Sequence, residues 1–238
     1  MKEIRLPERL RAVADKIPQG CRLSDVGTDH ALLPLWLIQQ GRVSTVIASD
    51  LRTGPLQQAA GNAARYKLSG QLELRHYPGL EGLLPEEAEV ITICGMGGET
   101  IKNILEAAPW TREKLLILEP QSNQQVLRRF LSEQGYRITE EDLCEDRGYL
   151  YQILTVTGES MPMPSPAEAY AGVRSCWTNS PLRKISLERV LHKLTREAEQ
   201  LNRSTQEKDF ARRDDLNAAI PELRDWLKET EEPHNADC

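Results

Sequence analysis

Long apolar runs and closely spaced cysteines are both absent from this chain of 238 residues. Its longest apolar runs, at residues 90–94 and 115–118, are far too short to cross a bilayer, so no membrane partner is expected. The five cysteines include no C-x-x-C pair, which argues against a disulfide framework and a zinc site. Residues 1–5 open a charged amphipathic helix rather than a secretory signal. A cytoplasmic protein without a bound metal is therefore predicted.

A general excess of positive charge is missing as well, because the formal net charge is −6. This excludes a uniformly basic nucleic-acid coat, but the average conceals an asymmetry. Residues 174–203 contain seven basic and three acidic residues, whereas residues 204–238 contain five basic and ten acidic ones. A local basic stretch attracts phosphates even on an acidic protein, and it is equally typical of a solvated helix face. Charge alone leaves both interpretations open.

Apolar residues in the first 157 positions follow a repeating strand–helix pattern. Short apolar runs alternate with segments in which apolar residues recur every three or four positions. Strands are predicted at residues 22–26, 45–49, 72–76, 90–94 and 115–118, and helices at residues 6–17, 29–40, 54–68, 99–107 and 124–134. Residues 136–138 and 150–156 have no helix between them and are predicted to pair antiparallel at the end of the sheet. The fold class is α/β, a doubly wound and mostly parallel sheet with an antiparallel terminal strand.

The sequence changes character after residue 157. Three prolines between residues 158 and 166 predict an extended linker. Beyond it, apolar residues at spacings of four and three form a coiled-coil-like seam at residues 187–201, and a second set follows at residues 216–227. Pro221 predicts a kink or a restart of the second helix. We expect two domains, 1–158 and 159–238, the second a helical hairpin, and a monomer, with dimerisation through the seam as the alternative.

The loop after the first strand contains one glycine where a dinucleotide-binding fold has three. The G-x-G-x-x-G pattern is absent, and Gly27 lies between two acidic residues, Asp25 and Asp29. Two carboxylates repel a pyrophosphate, whereas they attract a ligand that has an ammonium and a sulfonium group. The sequence therefore favours S-adenosylmethionine as the cofactor over a nicotinamide dinucleotide.

Two further strand ends supply candidate ligand groups. Asp50 follows the second strand 23 residues after Gly27, close to the roughly 20-residue spacing of an acid that binds ribose hydroxyls. An Asp at such a place is also a common helix N-cap. Residues 94–98 (CGMGG) leave bare backbone at the switch point of the sheet, and a tight turn would also require glycines there. Cys94 itself is interpreted as buried packing rather than as a nucleophile.

Together these strings resemble the bacterial tRNA adenine-22 N1-methyltransferases, Rossmann-like S-adenosylmethionine enzymes with a helical C-terminal domain. The likeness covers nearly the whole chain. It rests on residues 6–20, 25–34 (DVGTDHALLP), 91–98 (ITICGMGG) and 116–121 (LILEPQ), and the second and third strings are specific in combination. The resemblance implies transfer of a methyl group from S-adenosylmethionine to N1 of adenine 22 in a tRNA.

The resemblance also implies roles for individual residues. Asp25, Gly27 and Asp29 would border the methionine end of the cofactor, and Asp50 would hold its ribose. The full predicted cofactor-binding set is Asp25, Gly27, Thr28, Asp29, His30, Asp50, Leu51, Gly79, Cys94 and Gly95. The residues predicted to position the reacting groups are Gly95, Met96, Gly97 and Glu119.

Two segments depart from the family pattern. Residues 77–80 (YPGL) keep only Gly79 and Leu80 of a stretch whose polar residue addresses the cofactor adenine. In residues 119–121 (EPQ), Glu119 stands where many relatives have an amide. These departures leave two alternatives open. One is a methyltransferase of the same fold acting on another RNA or a small molecule, and the other is a non-catalytic RNA-binding protein that has lost cofactor affinity.

The acceptor atom determines what the enzyme must do. N1 of adenine has an in-plane lone pair and is unprotonated at neutral pH, so transfer requires positioning rather than a strong base. N1 lies on the pairing edge, so the target base must leave its helix. Tyr149, Tyr151 and His30 are candidates to stack on the base or read its edge, and His30 is alternatively a packing residue. The predicted tRNA-binding surface consists of Arg5, Arg9, Arg183, Lys184, Arg189, Lys193 and Arg196.

Overall fold

A computed structural model describes residues 3–231, in which eight α-helices and seven β-strands are found. The strands are β1 (Cys21–Val26), β2 (Val43–Asp50), β3 (Leu72–His76), β4 (Val90–Gly97), β5 (Leu115–Ser122), β6 (Arg137–Asp146) and β7 (Tyr149–Thr157). The helices are α1 (Glu8–Asp15), α2 (Leu32–Gln39), α3 (Thr53–Tyr66), α4 (Gly98–Glu106), α5 (Gln124–Glu133), α6 (Pro166–Ala171), α7 (Arg183–Leu201) and α8 (Phe210–Glu231).

All seven strands form one sheet in the order β3-β2-β1-β4-β5-β7-β6. The pairings among β1 to β5 are parallel, whereas β7 runs antiparallel to both β5 and β6. The strand order reverses between β1 and β4, so the loops that follow these strands diverge and leave a crevice at their carboxyl ends. The predicted α/β class, the doubly wound sheet and the antiparallel end are confirmed.

Two apolar layers cover the sheet, one on each face. Val13 and Leu35, from α1 and α2, pack with Leu23 in one layer, and Ile101 and Leu127, from α4 and α5, pack in the other. The central strand β4 explains this arrangement, because Val90 to Ile93 are all buried, with Val90 in the first layer and Ile91 and Ile93 in the second. Helices on both faces therefore hold the strand ends rigidly at one edge of the sheet.

Several elements of the sheet domain differ from their predicted bounds, and α2 and β6 differ for reasons that the structure shows. Helix α2 begins at Leu32 rather than at residue 29, because Asp29 (φ 51°) and Ala31 (φ 55°) have left-handed backbone that no helix continues. Strand β6 extends to Asp146 instead of ending at residue 138. It lies at the edge of the sheet, where polar side chains face solvent and no apolar run is needed.

The C-terminal part contains a helix that the sequence did not predict. Ser165 Oγ accepts a hydrogen bond from the Glu168 N–H (3.1 Å), and the Glu168 carboxylate accepts one from the Ser165 N–H (3.0 Å). This capping box begins α6 directly after the extended residues 158–165, so Pro166 starts a helix rather than preventing one.

Helices α7 and α8 form the predicted hairpin. Leu187, Leu194, Leu216 and Leu223 lie in its apolar interior. The polar stretch at residues 204–209 separates the two helices, as predicted. Of the kink or restart predicted at Pro221, the restart is wrong, since α8 continues through this exposed residue, and the kink stays a prediction. The fifth cysteine, Cys238, lies outside the described residues.

Candidate functional site

The carboxyl ends of β1, β2 and β4 surround a cavity of about 700 Å³, which we call the larger cavity to distinguish it from a smaller one that adjoins it. Its wall includes all ten residues predicted to bind the cofactor, together with Arg9 and Met96 from the other predicted sets. Their roles as contacts stay predictions, but the parallel sheet brings together segments as distant in sequence as Arg9 and Gln121. A volume of this size is typical of a small-molecule site.

The first loop of the larger cavity has unusual backbone geometry. Gly27 (φ 71°) bends the chain as β1 ends, and the N–H groups of Gly27 and Thr28 both donate to the Ser49 carbonyl, at 2.8 and 2.9 Å. Asp29 and Ala31 follow with left-handed backbone. Non-glycine residues in this conformation cost free energy and concentrate at functional sites. The loop is therefore fixed by its neighbour β2, with Asp29 held outside the helix that follows.

Two buried carboxylates lie in the wall of this cavity. Asp25 is 5% exposed and accepts a 2.6 Å hydrogen bond from Thr92 Oγ1. Burial raises the pKa of Asp25, and the negative charge of Asp50 adds to the rise. Asp50 is 6% exposed and accepts a hydrogen bond from the Arg52 N–H at 2.8 Å. A raised pKa means that the charged carboxylate of Asp25 lacks a full set of favourable partners, which a cationic ligand group would supply.

Asp29 and His30 differ from these buried acids in exposure. The side chains of Asp29 and His30 are 62% and 45% exposed and lie 3.4 Å apart at their closest polar atoms. The His30 carbonyl accepts a hydrogen bond from the Asn62 side chain at 2.9 Å. His30 is not on a helix, so the alternative that it packs on a helix face is wrong. Its side chain borders the larger cavity at the solvent side.

The glycine loop after β4 is packed tightly against its neighbours. A Cβ atom on Gly27 would lie 2.1 Å from Met96 Cε, so the Met96 side chain lies directly over Gly27. A Cβ on Gly98 would lie 2.3 Å from the Asn123 carbonyl oxygen. Gly97 faces Ser122 and is not in the wall of the larger cavity, contrary to its predicted place beside the reacting groups. Close packing therefore explains why positions 27 and 98 have no side chain.

Glu119, predicted to position the reacting groups, is not in the cavity wall, because it is fully buried behind the glycine loop. Its Oε2 accepts hydrogen bonds from the Gly95 N–H at 2.8 Å and from Arg9 Nη1 at 3.1 Å. Burial raises the pKa of Glu119, and Arg9, the Gly95 N–H and the Gln121 side chain oppose that rise. Glu119 therefore fixes Gly95 and ties α1 to the loop.

Cys94 lines the larger cavity, but its thiol is unreactive. Burial raises the pKa of the Cys94 thiol well above its ordinary value, and the nearby Asp25 and Glu119 carboxylates raise it further. The thiol is therefore protonated at neutral pH and is a poor nucleophile.

The departure at residues 77–80 places an aromatic ring in the wall. The Tyr77 ring packs against Gly82, where an added Cβ would lie 2.2 Å from Tyr77 Cδ1. The Tyr77 hydroxyl is buried, and burial raises its pKa. Tyr77 thus offers hydrocarbon rather than a polar atom to the larger cavity, beside Pro78 and Ile104.

A smaller cavity of about 290 Å³ adjoins the larger one. Its wall consists of Pro120, Gln121, Gln124, Tyr149, Leu150 and Tyr151. Gln121 lines both cavities. The sequence did not predict a role for it, although it lies in residues 116–121, one of the segments that resemble the methyltransferase family. Arg9 also connects them, because it lines the larger cavity and its guanidinium lies 5.8 Å from the centre of the Tyr151 ring.

The predicted basic residues of α7 do not form one surface. Arg189, Lys193 and Arg196 are exposed and share one face of the helix, which we call the basic stripe. Arg189 Nη1 donates to the Gly148 carbonyl at 3.4 Å, so the stripe begins beside Tyr149 of the smaller cavity. Lys184, also exposed, is five residues from Arg189 and lies on a different face.

Two of the predicted tRNA-binding residues are placed differently than expected. Arg183 is 9% exposed, donates to the Glu141 carbonyl at 3.2 Å and stacks 4.3 Å from the Trp177 ring centre. Burial lowers the pKa of Arg183 to about 10. It is therefore a packing residue and cannot belong to an exposed phosphate-binding surface. Arg5 is exposed but precedes α1, which starts at Glu8, so it is not in the first helix as predicted.

Within residues 3–231, no cluster of three or more His, Cys, Asp or Glu side chains is arranged to hold a metal ion. No helix in the same part of the chain is long and apolar enough to span a bilayer.

Known proteins share the sequence and the architecture of this chain. Residues 6–154 match a family described as a methyltransferase domain. A tRNA (adenine(22)-N(1))-methyltransferase of Bacillus subtilis is 35% identical over 156 residues, which is 65% of this chain and 66% of that protein, just under two thirds of its length.

Solved structures extend the likeness to the C-terminal part. The B. subtilis m1A22 tRNA methyltransferase superposes with a TM-score of 0.81 at 26% identity, covering 94% of this chain and 100% of that one. A Streptococcus pneumoniae protein described as a candidate tRNA (m1A22) methyltransferase, in complex with S-adenosyl-L-methionine, has a TM-score of 0.73 at 31% identity, covering 92% and 98%.

Proposed function

The chain belongs to the methyltransferase domain family, and from this premise we propose that it transfers a methyl group from S-adenosylmethionine to N1 of adenine 22 in tRNA. The larger cavity is the donor site and the smaller cavity receives the target base. The observation on which this rests is the continuity of three surfaces. The larger cavity adjoins the smaller one at Gln121, and the smaller one adjoins the basic stripe at Gly148 and Tyr149.

The larger cavity fits a cationic methyl donor. S-adenosylmethionine supplies a methyl group activated by a sulfonium, and it also has an ammonium group. Asp25, buried and with a raised pKa, is suited to accept from that ammonium. Asp50 has a carboxylate at the end of β2, where a ribose can be held by its hydroxyls. The bare backbone at Gly27 and Gly95 allows a ligand to approach closely.

The residues around the reaction centre act by positioning. Glu119 holds the Gly95 N–H, and the Met96 side chain closes over Gly27, so the loop that separates the two cavities is fixed before substrate arrives. N1 of adenine requires no proton removal before it attacks, so a rigid loop without a strong base is adequate for catalysis. Burial raises the pKa of the Cys94 thiol beside this loop, so the thiol is a poor nucleophile in competition with adenine N1.

Methyl transfer to unmodified tRNA transcripts tests the proposed activity. The protein is incubated with labelled S-adenosylmethionine and the transcripts, and the product is mapped by reverse-transcription arrest. We expect one arrest site, at adenine 22. Donor binding measured by calorimetry without transfer to tRNA, but with transfer to another acceptor, would favour a different substrate. Absence of donor binding would favour a non-catalytic RNA-binding protein.

Charge reversal on the basic stripe tests the path of the tRNA. Arg189→Glu with Lys193→Glu should weaken tRNA binding by about 10–100-fold at ~0.1 M salt and flatten its salt dependence, because each phosphate contact releases counterions. Gel-shift titrations at several salt concentrations measure both effects. Calorimetry with S-adenosylhomocysteine should give unchanged affinity.

A matched pair on α8 provides the control for this experiment. Arg224→Glu with Lys228→Glu makes the same change of charge on the exposed surface of the other hairpin helix. If the two double variants weaken tRNA binding equally, overall charge rather than the stripe is responsible, and the proposed path is wrong.

A further inference from the structure

The smaller cavity has the composition of a site for a single nucleobase. Its volume of about 290 Å³ lies at the lower end for ligand cavities. Tyr149 and Tyr151 provide aromatic faces, and unpaired bases in RNA stack on such rings. Arg9 lies over the Tyr151 ring at 5.8 Å and is itself held by Glu119, so one aromatic wall is fixed from behind.

Two glutamine side chains in this cavity are not equivalent. Gln124 Nε2 donates to the Pro120 carbonyl at 3.2 Å, so its amide is engaged with its own loop. Gln121 lies on the wall that both cavities share, and its Nε2 is 3.8 Å from the position that a Cβ on Gly95 would occupy. The Gln121 side chain is close enough to Glu119 to oppose the rise in the pKa of that carboxyl. Glu119 Oε1 is buried without a hydrogen-bond partner among the described residues, so the amide of Gln121 keeps its N–H groups and its carbonyl oxygen for a ligand.

An amide at this position matches one edge of adenine. Adenine presents the N6 amino donor and the N7 acceptor side by side, and a glutamine binds that pair with two hydrogen bonds. Guanine presents two acceptors, O6 and N7, on the same edge, and pyrimidines have no N7, so neither fits. N1 is on a different edge of the ring. A base held through N6 and N7 therefore keeps its N1 lone pair free to attack a methyl group.

We propose that Gln121 is the specificity-determining residue for the acceptor base, which it recognises through N6 and N7 of adenine while N1 faces the larger cavity. This rests on the proposed methyl transfer to adenine N1. Behind the loop, Arg9 donates to Glu119 and lies over the Tyr151 ring, so the surroundings of Gln121 are held in place.

A tRNA whose target base lacks N7, compared between the unaltered protein and a variant that lacks the Gln121 amide, tests this proposal. Synthetic tRNAs carry either adenine or 7-deazaadenine, which lacks N7, at the methylated position. For the unaltered protein, kcat/KM should be about tenfold lower on the 7-deaza tRNA, as expected for one lost hydrogen bond in a bidentate contact. Gln121→Ala should lower kcat/KM on adenine by about 10–100-fold and reduce the 7-deaza penalty to near one.

Gln124→Ala is the matched control, because it removes an amide from the same cavity but one that already binds its own loop. It should keep the full 7-deaza penalty. Gln124→Ala should bind S-adenosylhomocysteine as tightly as the unaltered protein in calorimetry. Because Gln121 also lines the larger cavity, kcat/KM for Gln121→Ala is measured at saturating donor, which separates base recognition from donor affinity.

The outcomes separate this inference from the proposed function. If the unaltered protein methylates the adenine tRNA but shows no 7-deaza penalty, or if Gln121→Ala retains that penalty, the role of Gln121 is overturned while the methyltransferase stands. If the unaltered protein binds the donor but methylates neither tRNA, the proposed function fails and this inference fails with it.

Discussion

Asp25→Asn should weaken binding of S-adenosylmethionine by about 10–100-fold, the equivalent of one hydrogen bond to a charged group at roughly 1.5–3 kcal/mol. Asn has nearly the same shape and can still accept from Thr92, so the substitution removes charge and little else. Isothermal calorimetry with S-adenosylmethionine and S-adenosylhomocysteine measures the effect. Both ligands have the ammonium group, so both should lose affinity.

The same substitution should stabilise the ligand-free protein. The pKa of Asp25 is raised in the folded chain, so the folded state binds this proton more tightly than the unfolded state. The contribution of Asp25 to stability therefore falls as pH rises above the ordinary pKa of an aspartate. At neutral pH Asp25→Asn removes that cost, and Tm without ligand should rise by about 2–4 °C for each kcal/mol recovered. The difference in Tm should shrink as pH falls.

Asp29→Asn is the control, since it removes the other carboxylate that flanks Gly27. Its side chain is 62% exposed, so water screens its charge and the loss of affinity should be several-fold smaller. Equal losses for the two variants, or a lower ligand-free Tm for Asp25→Asn, would contradict this prediction. They would show that the Asp25 carboxylate does not bind the ligand at a cost in stability.

The sequence predicted the larger cavity well, because parallel strands bring their carboxyl ends to one edge of the sheet. Once the strands are identified, residues such as Asp25, Asp50 and Gly95 must converge, whatever their distance along the chain. Local chemistry near each strand end was therefore a reliable guide to the residues in the wall.

Contacts between elements that are distant in sequence could not be predicted in this way. Arg9 and Glu119 are 110 residues apart and pair across the sheet edge, so no spacing indicates the bond. Arg183 shows the converse, because a basic residue in a helical segment is normally exposed. Only the positions of Glu141 and Trp177 reveal that Arg183 is buried. The basic stretch thus predicted a charged helix but not which of its residues face solvent.

Helix α6 was not predicted because its prolines were read as an extended segment, although a capping box marks its start. Three prolines indicated an extended segment, and the last of them was counted as part of it. Ser165 and Glu168 have the spacing of a capping box, in which Pro at the first helical position is favourable. Proline favours a helix at its first position and disrupts one in the middle, so only the neighbouring residues show which effect applies.

A buried ion pair joins the sheet to the C-terminal helices. Arg128, on α5, is fully buried and binds both oxygens of Glu141 on β6, at 3.0 and 2.7 Å. The same guanidinium donates to the Gln152 side chain at 2.7 Å and to the Ala169 carbonyl of α6 at 2.9 Å. Glu141 Oε1 also accepts from the Val173 N–H at 2.9 Å. These contacts cross the boundary of the two domains predicted at residues 158 and 159.

Arg128→Met should therefore destabilise the protein by about 3–5 kcal/mol, because it leaves the Glu141 carboxylate buried without its cation. For a chain of this size the Tm should fall by roughly 10 °C or more. Thermal unfolding followed by circular dichroism and calorimetry measures the change. Arg129→Met, the neighbour on the same helix, removes a partly exposed ion pair with Asp215 and should cost only about 1 kcal/mol.

The shape of the unfolding transition answers a separate question. If Arg128 couples the two parts strongly, the unaltered protein should unfold in one transition, and Arg128→Met should separate it into two, with the helices 166–231 melting first. In the proposed function the basic stripe of the hairpin binds tRNA phosphates, so the orientation of the hairpin on the sheet would set their distance from the reaction centre. Arg128→Met should then lower kcat/KM for tRNA at temperatures where donor binding is still intact. Equal stability of the Arg128 and Arg129 variants would show that the hairpin is held mainly by other contacts, and that its position relative to the cavities is not set by this ion pair.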